Sequence, residues 1–70
     1  VGELAVRLIG EYRGARLIGK TLRIDNRGAK PVLVQSADLA PAGTLAVSIL
    51  DPDLASGEAT TAYVVGPAGD

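Results

Sequence analysis

The sequence has 70 residues and a net charge of −1, and it contains no Cys, His, Met, Trp or Phe. These absences exclude disulfides, zinc, haem and iron–sulfur sites with the usual ligands, and chemistry by a cysteine or histidine nucleophile. Apolar residues make up 47% of the chain, but 11 of these 33 residues are alanine and no run reaches the roughly 18 residues of a membrane-spanning helix.

The first segment of the chain fits both a helix and a strand. Leu4, Leu8 and Tyr12 recur at a helical spacing of four, and charged residues of alternating sign follow the same spacing beside them. This spacing predicts a short helix over residues 3–13. Leu4, Val6 and Leu8 also alternate as in a strand, and a glycine inside the segment disfavours a helix, so a strand stays open as the alternative.

The rest of the chain has the period-2 alternation of β-strands, interrupted by Gly, Pro, Asn and Ser at turns. Four strands are predicted, at residues 21–25, 31–35, 44–50 and 60–65. The first two are predicted to form a hairpin with a longer loop. Four short strands with turns at close spacing predict a mainly β fold, a small antiparallel β-sandwich with one short N-terminal helix.

Several residue types that form catalytic or ligand-binding sites in other proteins have a structural interpretation in this sequence. Asp51 and Asp53 flank a proline, which is typical of a turn with a capping aspartate and not of a calcium or acid–base site. Ser48 and Ser56 have no histidine partner for a catalytic triad. The segment 19–21 reads Gly-Lys-Thr but lacks the loop that cradles a phosphate. We expect no enzyme activity and no cofactor or metal.

Charge divides the chain into two unequal parts. Residues 1–30 carry all seven basic residues and three acidic ones, a net charge of +4, whereas residues 31–70 carry five acidic residues and none that are basic. The densest basic cluster, a candidate electrostatic interface, consists of Arg13, Arg16, Lys20 and Arg23. The cluster fits a solvated face, a surface for an acidic protein neighbour, or DNA contact. The two parts can instead pair with each other, within one domain or between copies.

Stacking aromatics usually accompany the basic groups of a nucleic-acid site, and only Tyr12 lies near this cluster. We therefore expect no direct contact with nucleic acid.

The chain has more apolar surface than so small a domain is expected to bury. The mean hydropathy is +0.26, and neighbouring large residues such as Ile49 and Leu50 point to opposite faces of one strand. The candidate partner interface consists of Ala46, Ser48, Leu50 and Leu33. The strand at 44–50 has no charge to block pairing, so it is predicted to receive an added strand. If it is central instead, the edge falls to 32–35.

Several short motifs occur in an order that resembles one known family. They are Tyr12-Arg13, Leu17-Ile18-Gly19, Leu22–Ile24, Asn26-Arg27-Gly28, Lys30-Pro31-Val32, Gly43–Ile49, Ser56-Gly57-Glu58 and Tyr63–Val65. From about residue 8 to 65 the chain resembles the C-terminal domain of TraK, the secretin-like outer-membrane core subunit of F-type conjugative type IV secretion systems. The strand motif that begins at Gly43 is the most specific element.

The resemblance implies a structural role. Members of this family build the outer-membrane core as a ring of neighbouring copies, with a TraV-like outer-membrane lipoprotein and a TraB-like envelope-spanning subunit. It also implies a periplasmic location at the outer membrane, and a single domain over residues 1–70 that is the C-terminal domain of a longer chain. The alternative from the residues alone is an immunoglobulin-like β-sandwich, adhesive or chaperone-like, that binds a peptide strand.

Overall fold

The computed structural model describes residues 3–68. Six strands lie in this range, together with one 3-10 turn at Ser36–Asp38. The strands are β1 (Leu4–Arg13), β2 (Leu17–Asn26), β3 (Val32–Leu33), β4 (Ala46–Ile49), β5 (Asp53–Leu54) and β6 (Ala59–Pro67). The predicted mainly β fold is therefore confirmed.

Two antiparallel sheets form a small sandwich. The main sheet has the strand order β1-β2-β6-β4, and β3 pairs with β5 in a two-stranded sheet. β2 and β6 pair along their whole length, from Leu17 opposite Pro67 to Asp25 opposite Ala59. β1 and β4 therefore form the two edges of the main sheet.

The N-terminal segment is a strand, so the helix predicted over residues 3–13 is wrong. β1 pairs with β2 across a tight turn at Gly14, whose N–H donates to the Leu17 carbonyl at 2.8 Å. The register shifts between Leu8 and Gly10, where Ile9 is the extra residue of a β-bulge. Leu4 and Leu8, four residues apart, share one face of the strand, so their spacing fits a strand as well as a helix.

The predicted hairpin between residues 21–25 and 31–35 is also wrong. β2 pairs with β1 and β6, whereas β3 pairs with β5. The Asn26 side chain accounts for this separation, because its amide donates to the Lys30 carbonyl at 2.8 Å and to the Leu54 carbonyl at 3.1 Å. These bonds fix the loop after β2 so that β3 leaves the main sheet.

The core lies between the two sheets, near the Asn26 end of β2. Ile24 and Ala62 of the main sheet are fully buried against Val34 and Leu54. Among residues 3–68, nine large apolar or aromatic side chains remain exposed. They are Val6, Leu8, Ile9, Tyr12, Leu17, Leu33, Leu45, Leu50 and Tyr63. As the composition indicates, the domain leaves much apolar surface uncovered.

Candidate functional site

The main sheet has two faces that differ in what covers them. Successive residues of a strand point to opposite faces, and residues directly opposite each other share a face. The core face carries Ile24 of β2 and Ala62 of β6, which the second sheet covers. We call the other side the open face: Tyr12 of β1, Gly19, Thr21, Arg23 and Asp25 of β2, Thr61, Tyr63 and Val65 of β6, and Ala46 and Ser48 of β4. Not one of these residues is buried.

β4 is an edge strand whose outward side has no partner strand among residues 3–68. Val47 and Ile49 point to the core face and are half-buried, whereas Ala46 and Ser48 point to the open face and are exposed. Leu50 follows β4 and is 66% exposed. The alternative that this strand is central is therefore wrong, and the edge offers unpaired backbone groups beside small side chains.

Leu33 stands apart from the other three residues of the candidate partner interface. It belongs to β3 in the second sheet, opposite Asp53 of β5, and is 55% exposed. Together with Pro31 and Leu54 it lines an open cavity of about 410 Å³. The structure thus brings Ala46, Ser48 and Leu50 together and leaves Leu33 on a different sheet.

The basic residues predicted as one electrostatic interface are divided between surfaces. Arg13 lies opposite Ile18, on the same face as Lys20, whereas Arg23 lies on the open face and Arg16 in the turn between β1 and β2. The Arg23 guanidinium is 3.3 Å from the Asp25 carboxylate. These four side chains therefore do not form a single patch.

The two differently charged parts of the chain do not pair with each other through ion pairs in the part of the chain that the structure describes. Both ion pairs found there join residues of the first 30 positions: Arg23 with Asp25 at 3.3 Å, and Arg13 with Glu11 at 3.8 Å. The acidic residues of the second part, Asp51, Asp53 and Glu58 among them, are exposed. Charges of both signs therefore remain available to neighbours.

The polar residues weighed in the sequence have structural roles. The Asp51 carboxylate accepts a hydrogen bond from the Asp53 N–H at 3.1 Å, as the turn interpretation predicts. The Ser56 hydroxyl donates to the Gly28 carbonyl at 2.7 Å. Lys20 and Thr21 lie in the middle of β2 and not in a phosphate-binding loop. Within residues 3–68 no group of three or more acidic side chains is placed to hold a metal ion.

Two structural features went unrecognised in the sequence. Asn26 is only 1% exposed and organises the end of the sheet, although its position predicts an ordinary turn residue. Tyr12 and Tyr63 are the only aromatic residues of the chain, and both lie on the open face. The only sequence signal for the role of Asn26 is the Asn-x-Gly motif that follows a strand. The shared face of the two tyrosines could not be predicted, because it depends on the bulge in β1.

Within residues 3–68, the fold and this surface define a class: a small antiparallel β-sandwich with one sheet face exposed and one uncharged edge strand that has no second partner strand. The family model of the TraK C-terminal domain matches residues 1–66, and the chain belongs to that family. No curated protein matches the sequence.

Family membership gives the chain a role related to conjugation and type IV secretion, and a place in the periplasm or cell envelope. The family consists of structural secretion-system components and is not a known enzyme family. Residues 3–68 contain no helix that is long and apolar enough to cross a membrane.

Proposed function

We propose that this domain is a structural subunit of the outer-membrane core of a conjugative type IV secretion system, where it docks an outer-membrane lipoprotein of the TraV type. Neighbouring copies of the domain and a TraB-like envelope-spanning subunit complete the ring. The observation that carries the proposal is the β4 edge, which has no partner strand among residues 3–68, carries no charge and presents the small exposed residues Ala46 and Ser48. Family membership supplies the type of machine.

Strand addition is the binding mode that such an edge supports. An extended segment of the lipoprotein pairs its backbone with β4, and main-chain hydrogen bonds supply the affinity. Ala46 and Ser48 leave room beside the new strand for the side chains of the partner. Leu50, exposed at the end of β4, offers an apolar contact where the added strand ends. The absence of Lys, Glu and Pro from β4 matters because those residues normally protect an edge from pairing.

The proposal is tested by blocking the edge. Ala46→Arg and Ser48→Arg place a long cation beside β4, and each is expected to lower co-purification of the co-expressed lipoprotein at least about tenfold, the loss typical of a disrupted interface centre. The β signal in circular dichroism should stay unchanged, because both side chains are exposed.

Two matched variants control for the added charge. Ala42→Arg and Ser36→Arg make the same substitutions at exposed positions outside β4, and both should retain the lipoprotein. Normal co-purification by both β4 variants would place the docking surface elsewhere and refute the assignment.

A further inference from the structure

The open face holds both aromatic side chains of the chain in neighbouring rows. Tyr12 lies directly opposite Gly19, which lies opposite Val65, which in turn lies opposite Ala46. In the next row Thr21 lies opposite Tyr63. Tyr12 is 76% exposed and Tyr63 is 45% exposed. Aromatic side chains are the largest apolar surfaces that this chain has to bury, and both of them remain exposed.

The β-bulge places Tyr12 on this face. Before the bulge, Leu8 lies opposite Leu22 on the core face; after it, Glu11 lies opposite Lys20 on that face. If Ile9 were paired in a regular ladder instead of bulging, the even-numbered positions would continue on the core face and Tyr12 would point there too. Bulges re-aim side chains near functional sites, and this one brings Tyr12 to the side that carries Tyr63.

An apolar groove lies beside Tyr12. It has a volume of about 520 Å³, and Tyr12, Leu17 and Val65 line it together with Arg16. Gly19 forms part of its floor, and a Cβ added to Gly19 would meet no atom closer than 3.9 Å. The domain's own packing therefore does not require glycine at this position, but the missing side chain keeps the floor of the groove low.

Basic groups lie at both ends of this apolar region. Arg16, in the turn before β2, lines the groove. Towards the other end, Arg7 lies directly opposite Arg23, an arrangement of like charges that is unfavourable without counter-charges. Asp25 lies 3.3 Å from Arg23, but Arg7 has no ion pair among residues 3–68. The face therefore has unmatched positive charge on both sides of an apolar centre.

We propose that the open face binds an extended segment of a protein partner that has large apolar side chains between carboxylate groups. An apolar side chain of the segment fills the groove beside Tyr12, and its carboxylates contact Arg16 on one side and Arg7 on the other. Ala46 and Ser48 of β4 belong to the same face, in the rows of Tyr12 and Tyr63, with β6 and β2 between β4 and Tyr12. The identity of the protein that supplies the segment rests on the proposed function. The chemistry of the segment is inferred from the open face alone.

The probe is a fluorescein-labelled synthetic peptide with a Leu-Val-Leu centre flanked on both sides by pairs of glutamates. Its binding to the protein carrying this domain is followed by fluorescence anisotropy. We expect saturable binding, weakened at least about tenfold when lysines replace the glutamates. Tyr12→Ala and Arg16→Gln should each weaken binding by about tenfold, as expected for anchor residues of an interface.

Matched variants on the same strand separate the open face from general effects. Leu8→Ala removes a large side chain that is 52% exposed on the core face, and Arg13→Gln removes a cation on that face. Both should bind the peptide normally. No binding of the acidic peptide, equal binding of the lysine peptide, or an equal loss in these controls would overturn the proposal.

The same protein samples test two other possible occupants of the open face, a single-stranded nucleic acid and a second copy of the chain. Tighter binding of a single-stranded oligothymidine than of the acidic peptide would identify a nucleic-acid surface and overturn the proposal. Sedimentation that shows dimers of the wild-type protein but monomers of Tyr12→Ala would identify a second copy as the occupant and overturn it likewise.

Strand addition at β4 and peptide binding on the open face can be refuted separately. If Ala46→Arg loses the lipoprotein while Tyr12→Ala binds lipoprotein and peptide normally, the β4 edge is confirmed and the open-face inference is wrong. If the peptide binds through Tyr12 and Arg16 while the β4 variants retain the lipoprotein, only the lipoprotein assignment at β4 is wrong.

Discussion

The two ends of the long β2–β6 pair are built for different tasks. At the Asn26 end, Ile24, Leu54 and Asn26 are buried, and side-chain hydrogen bonds join the loops. At the other end, around the β1–β2 turn, Tyr12 and Leu17 are exposed and the groove is uncovered. A domain of this size can bury only one compact core. Stability is therefore concentrated at the Asn26 end, and apolar surface at the turn end remains available to a partner.

The largest effect should come from Asn26→Ala. The variant leaves three groups without their partner: the carbonyls of Lys30 and Leu54 and the N–H of Gly28. Each unsatisfied buried group costs on the order of 1–3 kcal/mol, so we expect a loss of about 3 kcal/mol or more in the free energy of unfolding, measured in urea. Thr44→Ala, which removes an exposed 2.6 Å bond to Pro41, should cost no more than about 1 kcal/mol. Equal losses would contradict the comparison of the two ends.

A leucine pair tests the same contrast through packing. Leu54 is 1% exposed, so Leu54→Ala creates a cavity and should cost about 2–5 kcal/mol. Leu17, at the turn end, is 45% exposed, and Leu17→Ala should change the unfolding free energy by no more than about 0.5 kcal/mol. Thermal or urea unfolding of both variants measures the difference. A loss at Leu17 as large as that at Leu54 would show that the turn end is packed after all.

The smallest effect is expected from a glycine pair. Gly57 adopts φ of +82°, in the left-handed region, and its N–H donates to the Asn26 carbonyl at 2.9 Å. Gly57→Ala should therefore cost about 1 kcal/mol. Gly66, at the turn end, has open space around its Cβ position and no positive φ, so Gly66→Ala should be neutral within about 0.5 kcal/mol. Denaturation midpoints of the two variants decide between this outcome and equal tolerance.

Local pattern was enough to predict much of the sheet but not how it is connected. The alternation of residues 21–25, 44–50 and 60–65 predicted β2, β4 and β6, because one-sided burial imposes period 2 on a strand. The pairing of β2 with β6 joins residues more than 30 positions apart, as with Asp25 and Ala59. No local signal specifies such a partner, and the next strand along the chain, β3, was the wrong choice.

The candidate site was predicted in part, for the same physical reason. Ala46 and Ser48 follow from the alternation within one strand, and both are exposed on an edge. The open face combines side chains from four strands, and its composition depends on the register of each. The bulge at Ile9 places Tyr12 on the face opposite to the one that strict alternation from Leu8 predicts. The four basic residues predicted as one cluster do not lie together, because Lys20 and Arg23 are three residues apart on a strand and therefore point to opposite faces.

The bulge at Ile9 should also limit aggregation through the β1 edge. β1 is a ten-residue edge strand with large apolar side chains exposed, the kind of edge that recruits further strands into aggregates. An extra residue interrupts the regular ladder that a second, identical β1 would need for pairing along its full length. Arg7 and Glu11, one on each side of the bulge, add charge where such an aggregate would begin. The short β4 edge has neither a bulge nor a charged residue. Strand-by-strand aggregation is therefore disfavoured at the β1 edge, whereas the β4 edge stays open to pairing.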